Sequence, residues 1–208
     1  MLLIGICGAS GSGKTTLAEE LMQSAKVKCV MLSQDAYYRD HPDLSFAERC
    51  ALNYDEPAIF DHDLLYQDVC ALLRGQPVCR RQYDFSTRRR ADTEEMIAPA
   101  DVLIVEGIHA FYDERLMEKM SLRLYLDVDP DICLLRRIRR DMQERGRDLN
   151  SISAQYLATV KPMYEKYIRP YIRKADLVVP EGGKSDSVIA VLSAYLQAEV
   201  QKGRKQSL

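Results

Sequence analysis

The stretch Leu2-Leu3-Ile4-Gly5-Ile6-Cys7 runs straight into Gly8-Ala9-Ser10-Gly11-Ser12-Gly13-Lys14-Thr15-Thr16, and its reading decides the fold. A short apolar run without alternation is a strand buried on both faces. The pattern Gly-x-x-x-x-Gly-Lys-Thr, placed after such a strand and opening a helix, is a phosphate loop. Its glycines permit backbone angles that a Cβ would forbid, so that successive N–H groups converge on a phosphate. The N-terminus of the following helix adds its dipole at the same point. Lys14 supplies a point charge for the β- and γ-phosphates, and the Thr15 hydroxyl is placed to ligate magnesium. Residues Gly8 to Thr16 are therefore expected to hold a nucleoside triphosphate with Mg2+.

Outward from that strand, four more apolar runs read as buried strands: Lys28–Ser33, Val102–Glu106, Leu122–Val128 and Asp176–Val179. Helical segments lie between and after them, at Thr15–Ala25, Asp61–Leu73, Asp131–Glu144, Ser151–Tyr171 and Ser185–Val200. Strands alternating with helices predict an α/β fold with a wound, five-stranded parallel sheet and flanking helices. One region breaks the alternation. Val78–Phe85 and Thr93–Ile97 flank an arginine-rich turn and predict a β-hairpin over about residues 77–99, beside the main sheet. Residues 1–208 read as a single domain, with a lid and its following helix at about 136–172 and a polar, frayed tail from Lys202 to Leu208.

Composition narrows the function classes. With 29 basic and 31 acidic residues the net charge is −2, which gives no basic footprint for nucleic acid. The six cysteines are scattered, without C-x-x-C or zinc-finger spacing, as expected of reduced thiols in the cytoplasm. The apolar start lacks a basic n-region and is too short for a signal peptide. No stretch approaches the roughly 18 apolar residues of a membrane span.

Three further groups of residues are candidates for chemistry. Glu106 closes a buried strand at the edge where ligands of open α/β sheets collect, and is the candidate acid for holding the metal. Asp35 follows the second strand and should project from the same edge, where an acceptor hydroxyl can give up its proton to it. Tyr37 and Tyr38 beside it are placed to floor a ring-shaped substrate. The segment Arg136 to Asp148 carries six arginines. Arg136 and Arg139 read as a solvated helix face. Arg145-Gly146-Arg147 at a helix end suits a lid that closes over phosphates and excludes water, which a kinase needs to avoid hydrolysing its donor.

These residues, taken in order, resemble the uridine kinase family, which stands with phosphoribulokinase among the phosphate-loop kinases. The most specific stretches are Gln34-Asp35-Ala36-Tyr37-Tyr38-Arg39, Asn53-Tyr54-Asp55-Glu56-Pro57, Gln82-Tyr83-Asp84-Phe85, Glu106-Gly107-Ile108, Arg136 to Asp148, Ala154-Gln155-Tyr156 to Val160-Lys161-Pro162, and Ala175 to Pro180. The resemblance implies transfer of the γ-phosphoryl group of ATP (or GTP) to the 5′-hydroxyl of uridine or cytidine, a small nucleoside, in pyrimidine salvage. It implies that Asp35 is the general base, with Lys14 and Arg145 serving catalysis at the phosphates and Arg140 beside them. It implies that Asp55 and Arg147 hold the ribose hydroxyls, that Tyr83, Arg137 and Gln155 line the nucleoside pocket, and that the chain forms a homotetramer.

Three positions depart from the family pattern. Arg88 stands where a histidine usually reads the pyrimidine edge. A guanidinium only donates hydrogen bonds, which suits O4 of uracil and opposes the N4 amino group of cytosine. His109 occupies a commonly apolar position, either facing the acceptor pocket or packed and hydrogen-bonded. Glu181 replaces a usual arginine. Two alternatives stand beside this reading: a same-fold kinase with another acceptor, such as ribulose 5-phosphate, nicotinamide riboside or pantothenate, which Arg88 as an anion partner keeps open, and a nucleotide-dependent switch. The switch lacks its Asp-x-x-Gly and Asn-Lys-x-Asp sequences here.

Overall fold

The computed structural model describes residues 1–180 and 182–206. In chain order the elements are β1 (Leu2–Gly8), α1 (Lys14–Ser24), β2 (Cys29–Ser33), α2 (Phe46–Ala51), α3 (His62–Leu73), β3 (Val78–Asp84), β4 (Arg89–Ile97), β5 (Val102–Glu106), α4 (Glu114–Met117), β6 (Leu122–Asp127), α5 (Pro130–Glu144), α6 (Leu149–Gln155), α7 (Lys161–Met163), β7 (Leu177–Pro180) and α8 (Asp186–Gln206). The main sheet has the order β2-β5-β1-β6-β7 and every pair in it is parallel. This is the five-stranded α/β fold expected from the sequence.

The apolar runs are continuous because both faces are covered. Leu3, Cys7, Leu103 and Val105 point into one core with Tyr37, Phe60, Phe111 and Tyr171. Ile4, Ile6, Val102 and Ile104 point into the other with Leu17, Leu21 of α1 and Leu192, Leu196 of α8. Each such buried side chain stabilises the fold by about 1.5–3 kcal/mol, which offsets the entropy of ordering the chain. Parallel pairing also aligns the carboxyl ends of β2, β5 and β1, with Ser33 beside Glu106 and Glu106 beside Ile6. The loops leaving those ends build the site.

β3 and β4 form the separate antiparallel hairpin. Its second strand starts at Arg89 rather than Thr93, so Arg89 and Arg90 are paired strand residues, opposite Asp84 and Tyr83. The turn is tightened by Asp84, whose carboxylate accepts from the Ser86 N–H at 2.8 Å and the Thr87 hydroxyl at 2.9 Å. No glycine marks it; Arg88 itself takes the left-handed conformation, at φ 54°.

The helix expected over Ser151–Tyr171 begins earlier, capped by Asp148, whose carboxylate accepts from the Ser151 N–H at 2.9 Å. It is not uniform. Wide π turns at Tyr156–Val160 and Tyr164–Ile168 flank α7, and a tight 3-10 segment, Arg169–Lys174, ends it. Pro162 and Pro170 lie in this stretch, and each removes an N–H from the i→i−4 ladder. The tail expected to fray from Lys202 is instead helical as far as Gln206, held by ion pairs of Lys202 with Glu199 and of Arg204 with Asp101 at 2.8 Å. Ser207, Leu208 and the departure at Glu181 lie outside the described residues. No helix among the described residues is long and apolar enough to cross a membrane.

Candidate active site

The turn after β1 enters α1 through Gly13, at φ 95°, a left-handed conformation that a side chain would strain. Ser10, Gly11, Gly13, Lys14, Thr15 and Thr16 face a cavity of about 770 Å³, while Gly8, Ala9 and Ser12 form the frame of the loop behind them. Lys14 is buried, and its ammonium donates to the Ala9 carbonyl at 2.9 Å. The charge is thus folded over the loop itself.

Two carboxylates enter the cavity from the neighbouring strand ends. Asp35 stands on the 3-10 turn Gln34–Tyr37 that follows β2. Glu106 ends β5, only 4% exposed, and accepts from the Ser33 hydroxyl at 2.6 Å. Burial raises the pKa of Glu106 above the ordinary carboxylate value, and the nearby Lys14 charge offsets this only in part. Folding therefore disfavours the charged form, a cost absent below the unfolded value of 4.5 and full above the folded one. Glu106→Gln is accordingly expected to raise the melting temperature of the ligand-free protein by a few degrees at neutral pH. The gain should shrink as the pH falls toward 4.5; a melting temperature that drops in the variant would contradict this balance.

The lid is built from the carboxyl end of α5 and the start of α6. Gly146 turns the chain between them at φ 60° with open space around it. Arg145 lays its guanidinium 3.7 Å from the centre of the Phe85 ring, so the lid rests against the hairpin. Arg140, Arg145 and Arg147 all reach the cavity, as does Arg137. Arg136, expected on a solvated face, also borders the cavity, because α5 runs alongside the phosphate loop; Arg139 is exposed as expected. At the centre lies Asp141, wholly buried and paired with four of these arginines. Sequence reading missed it, although an acid four residues after Arg137 on a helix was the available signal.

The acceptor side is lined by Tyr38, Tyr54, Tyr83 and Phe85, with Asp55, Arg88 and Gln155 among them. Tyr38 stacks on Phe60 at 4.3 Å, and its hydroxyl donates to the Tyr54 carbonyl at 3.3 Å. Tyr37, expected with it at the pocket floor, is instead a core residue whose hydroxyl donates to Asp68 at 2.8 Å. Tyr37 is the last residue of the 3-10 turn and Tyr38 leaves it at ψ 136°, so the two side chains face different ways and only one reaches the cavity. Asp55 is buried; the Thr159 hydroxyl donates to it at 2.9 Å and Arg137 stands 3.7 Å away. Burial raises its pKa, opposed by Arg137. Thr159 sits on the first π turn, which no sequence pattern announced. Arg88 faces the cavity with its guanidinium 4.7 Å over the Tyr54 ring.

His109 does not line the cavity. Its Nε2–H donates to the Asp55 carbonyl at 2.9 Å and its Nδ1 accepts from the Tyr171 hydroxyl at 3.2 Å. Burial lowers its pKa to about 4, so the ring is neutral at physiological pH. It is the packed, hydrogen-bonded histidine of the two expectations, and it holds the Asp55 backbone from behind.

A phosphate loop on a parallel sheet, two acids at adjacent strand ends and an arginine lid over one cavity define a phosphate-loop kinase. The chain matches the phosphoribulokinase / uridine kinase family over residues 3–187. A uridine kinase of Lactiplantibacillus plantarum is 43% identical over 95% of each chain. Another, of Halalkalibacterium halodurans, is 41% identical over 97% of this chain and 96% of its own. The structure of phosphoribulokinase from Rhodobacter spheroides shares the fold at a TM-score of 0.65 and 15% identity, covering 86% of this chain and 69% of its own. The chain belongs to the phosphoribulokinase / uridine kinase family.

Proposed function

We propose that the chain is a uridine kinase, transferring the γ-phosphoryl group of ATP (or GTP) to the 5′-hydroxyl of uridine in pyrimidine salvage. The observation that carries this reading is one cavity lined together by Lys14 and the phosphate loop, by Asp55, Arg147 and the tyrosines, and by Asp35. Two relatives above 40% identity over nearly the whole chain bear the same name.

In the proposed reaction Asp35 accepts the proton of the 5′-hydroxyl as its oxygen bonds to the γ-phosphorus, and the bond to the β-phosphate oxygen breaks, releasing the nucleoside diphosphate. Arg140 and Arg145 meet the phosphate oxygens, while Asp55 and Arg147 hold the ribose hydroxyls. The Thr15 hydroxyl and the Glu106 carboxylate suit Mg2+, which keeps most of its octahedral shell as water and phosphate oxygen and takes one or two protein ligands. Among the described residues no cluster of three or more acids, histidines or cysteines could cage a metal by protein alone. The cation supplies charge neutralisation at the phosphates when bound. A homotetramer in the cytoplasm completes the proposal, on family resemblance.

Coupled measurement of diphosphate release with uridine, cytidine, adenosine and ribulose 5-phosphate tests it. Uridine should be the best acceptor, and a clear preference for ribulose 5-phosphate or adenosine overturns the reading. Within the same assay, the donor-only guanidinium of Arg88 at the pocket predicts kcat/KM for uridine at least about tenfold above that for cytidine, the cost of facing two donors at each other in a dry pocket. Arg88→His should bring the two values together; equal values in the unaltered protein would remove Arg88 from base selection.

A further inference from the structure

The lid arginines are not independent of one another, because a single buried carboxylate holds four of them in two pairs. Asp141 Oδ1 faces Arg140 at 2.9 Å and Arg145 at 3.5 Å. Its Oδ2 faces Arg147 at 3.2 Å and the Nε of Arg137 at 3.7 Å. On the functional reading above, on which this inference rests, the Oδ1 pair meets the donor phosphates and the Oδ2 pair belongs to the acceptor pocket. The second pair is itself tied into that pocket. Arg137 and Arg147 both donate to Gln155 Oε1, at 3.2 and 2.6 Å, and Arg137 also donates to the Ser10 hydroxyl of the phosphate loop at 3.0 Å. It stands 3.7 Å from Asp55 as well.

Four guanidinium groups against two carboxylates, Asp141 and, at Arg137 alone, Asp55, leave the cluster short of anion. An arriving triphosphate supplies the missing charge at the Oδ1 side, and bidentate phosphate contacts compete well for guanidinium forks. As Arg140 and Arg145 turn to the phosphates, the charge on Asp141 is left less shared. It then attracts Arg137 and Arg147 more strongly, fixing the two arginines and, through them, Gln155.

We infer that Asp141 is a positioning residue that couples the donor and acceptor halves of the site, so that bound nucleotide raises the affinity for the acceptor. Asp141 is buried and does not line the cavity. Its effect passes through the arginines on its two oxygens. Linkage requires the reverse as well: the acceptor must raise nucleotide affinity by the same factor.

Calorimetric titration of uridine into the protein alone, and into protein saturated with magnesium and a non-hydrolysable ATP analogue, reads the coupling directly. About tenfold tighter uridine binding with the analogue is expected, and the same factor when the order is reversed. Asp141→Asn keeps the size of the side chain and removes its charge, and should bring the factor to within about twofold of unity while either ligand alone still binds. Arg147→Lys, at a less buried position, withdraws the Nη1 that joins Asp141 Oδ2 to Gln155 Oε1. Its lost ribose contact weakens uridine binding with and without the analogue alike, so the ratio of the two affinities still reads the coupling. That ratio should also fall toward unity, which carries the test if a melting curve shows the Asn variant unfolded. Undiminished coupling in the folded variants, or none in the unaltered protein, overturns the inference. If uridine binds under neither condition, the proposed acceptor is wrong, and the same titrations with the acceptor selected by the diphosphate-release assay decide the role of Asp141.

Discussion

Asp35→Asn should lose about 10²–10⁴ in kcat while its affinity for the ATP analogue stays within about twofold of the original. The two arms differ because the substitution removes a proton acceptor and leaves the phosphate cradle untouched. Asp35 is carried on the turn after β2, and its side chain makes no hydrogen bond or ion pair with the described residues, so its lone pairs are available to a substrate hydroxyl. Glu106, the acid at the neighbouring strand end, is instead engaged by the Ser33 hydroxyl at 2.6 Å and buried, so its oxygens are less open to a mobile substrate hydroxyl. Steady-state kinetics together with analogue titration separate the roles. Near-normal kcat in Asp35→Asn would take the residue out of the base role, and a loss of analogue affinity as large as the loss of kcat would make it a nucleotide ligand instead.

The placement of these two acids shows how far the sequence could be read. The phosphate loop, Asp35 and Glu106 were legible because each follows a run of buried apolar residues, and a parallel sheet delivers all such strand ends to one edge. The same logic located the five strands within a residue or two. What escaped reading depends on side-chain direction or on backbone without a composition signal. Tyr37 and Tyr38 are indistinguishable as letters, yet one donates to Asp68 in the core and the other borders the cavity. The turn at Arg88 carries a left-handed residue with no glycine or asparagine to mark it, so β4 was read four residues short. Thr159 reaches Asp55 from a π turn, whose shifted phase a 3.6-residue period does not foresee. Asp141 was passed over because an acid among arginines on a helix is most often a solvated pair. Here α5 turns it inward, where its exposure is nil.

Lys14→Ala should behave unlike Asp35→Asn in every arm. On the proposed reading the ammonium meets the phosphates in the ground state and again as charge shifts during transfer, so both nucleotide affinity and turnover should fall, the latter by about 10²–10³. A further consequence follows from its neighbour. The Lys14 charge is the largest influence opposing the burial of charged Glu106. Without it the carboxyl holds its proton to still higher pH, and a protonated acid is a poor ligand for a hard cation. The magnesium requirement of Lys14→Ala should therefore rise, and rise most at the acid end of the working range, whereas in Asp35→Asn it should stay as it was. Lys14→Arg should not restore activity, since the broad guanidinium fork replaces a compact point charge in a loop whose own Ala9 carbonyl already receives the ammonium at 2.9 Å. Titrating activity against magnesium at two pH values in the three variants checks the argument. An unchanged magnesium requirement in Lys14→Ala would mean that Glu106 is not part of the cation site, while the loss of nucleotide affinity would still stand on the phosphate contacts of Lys14 alone.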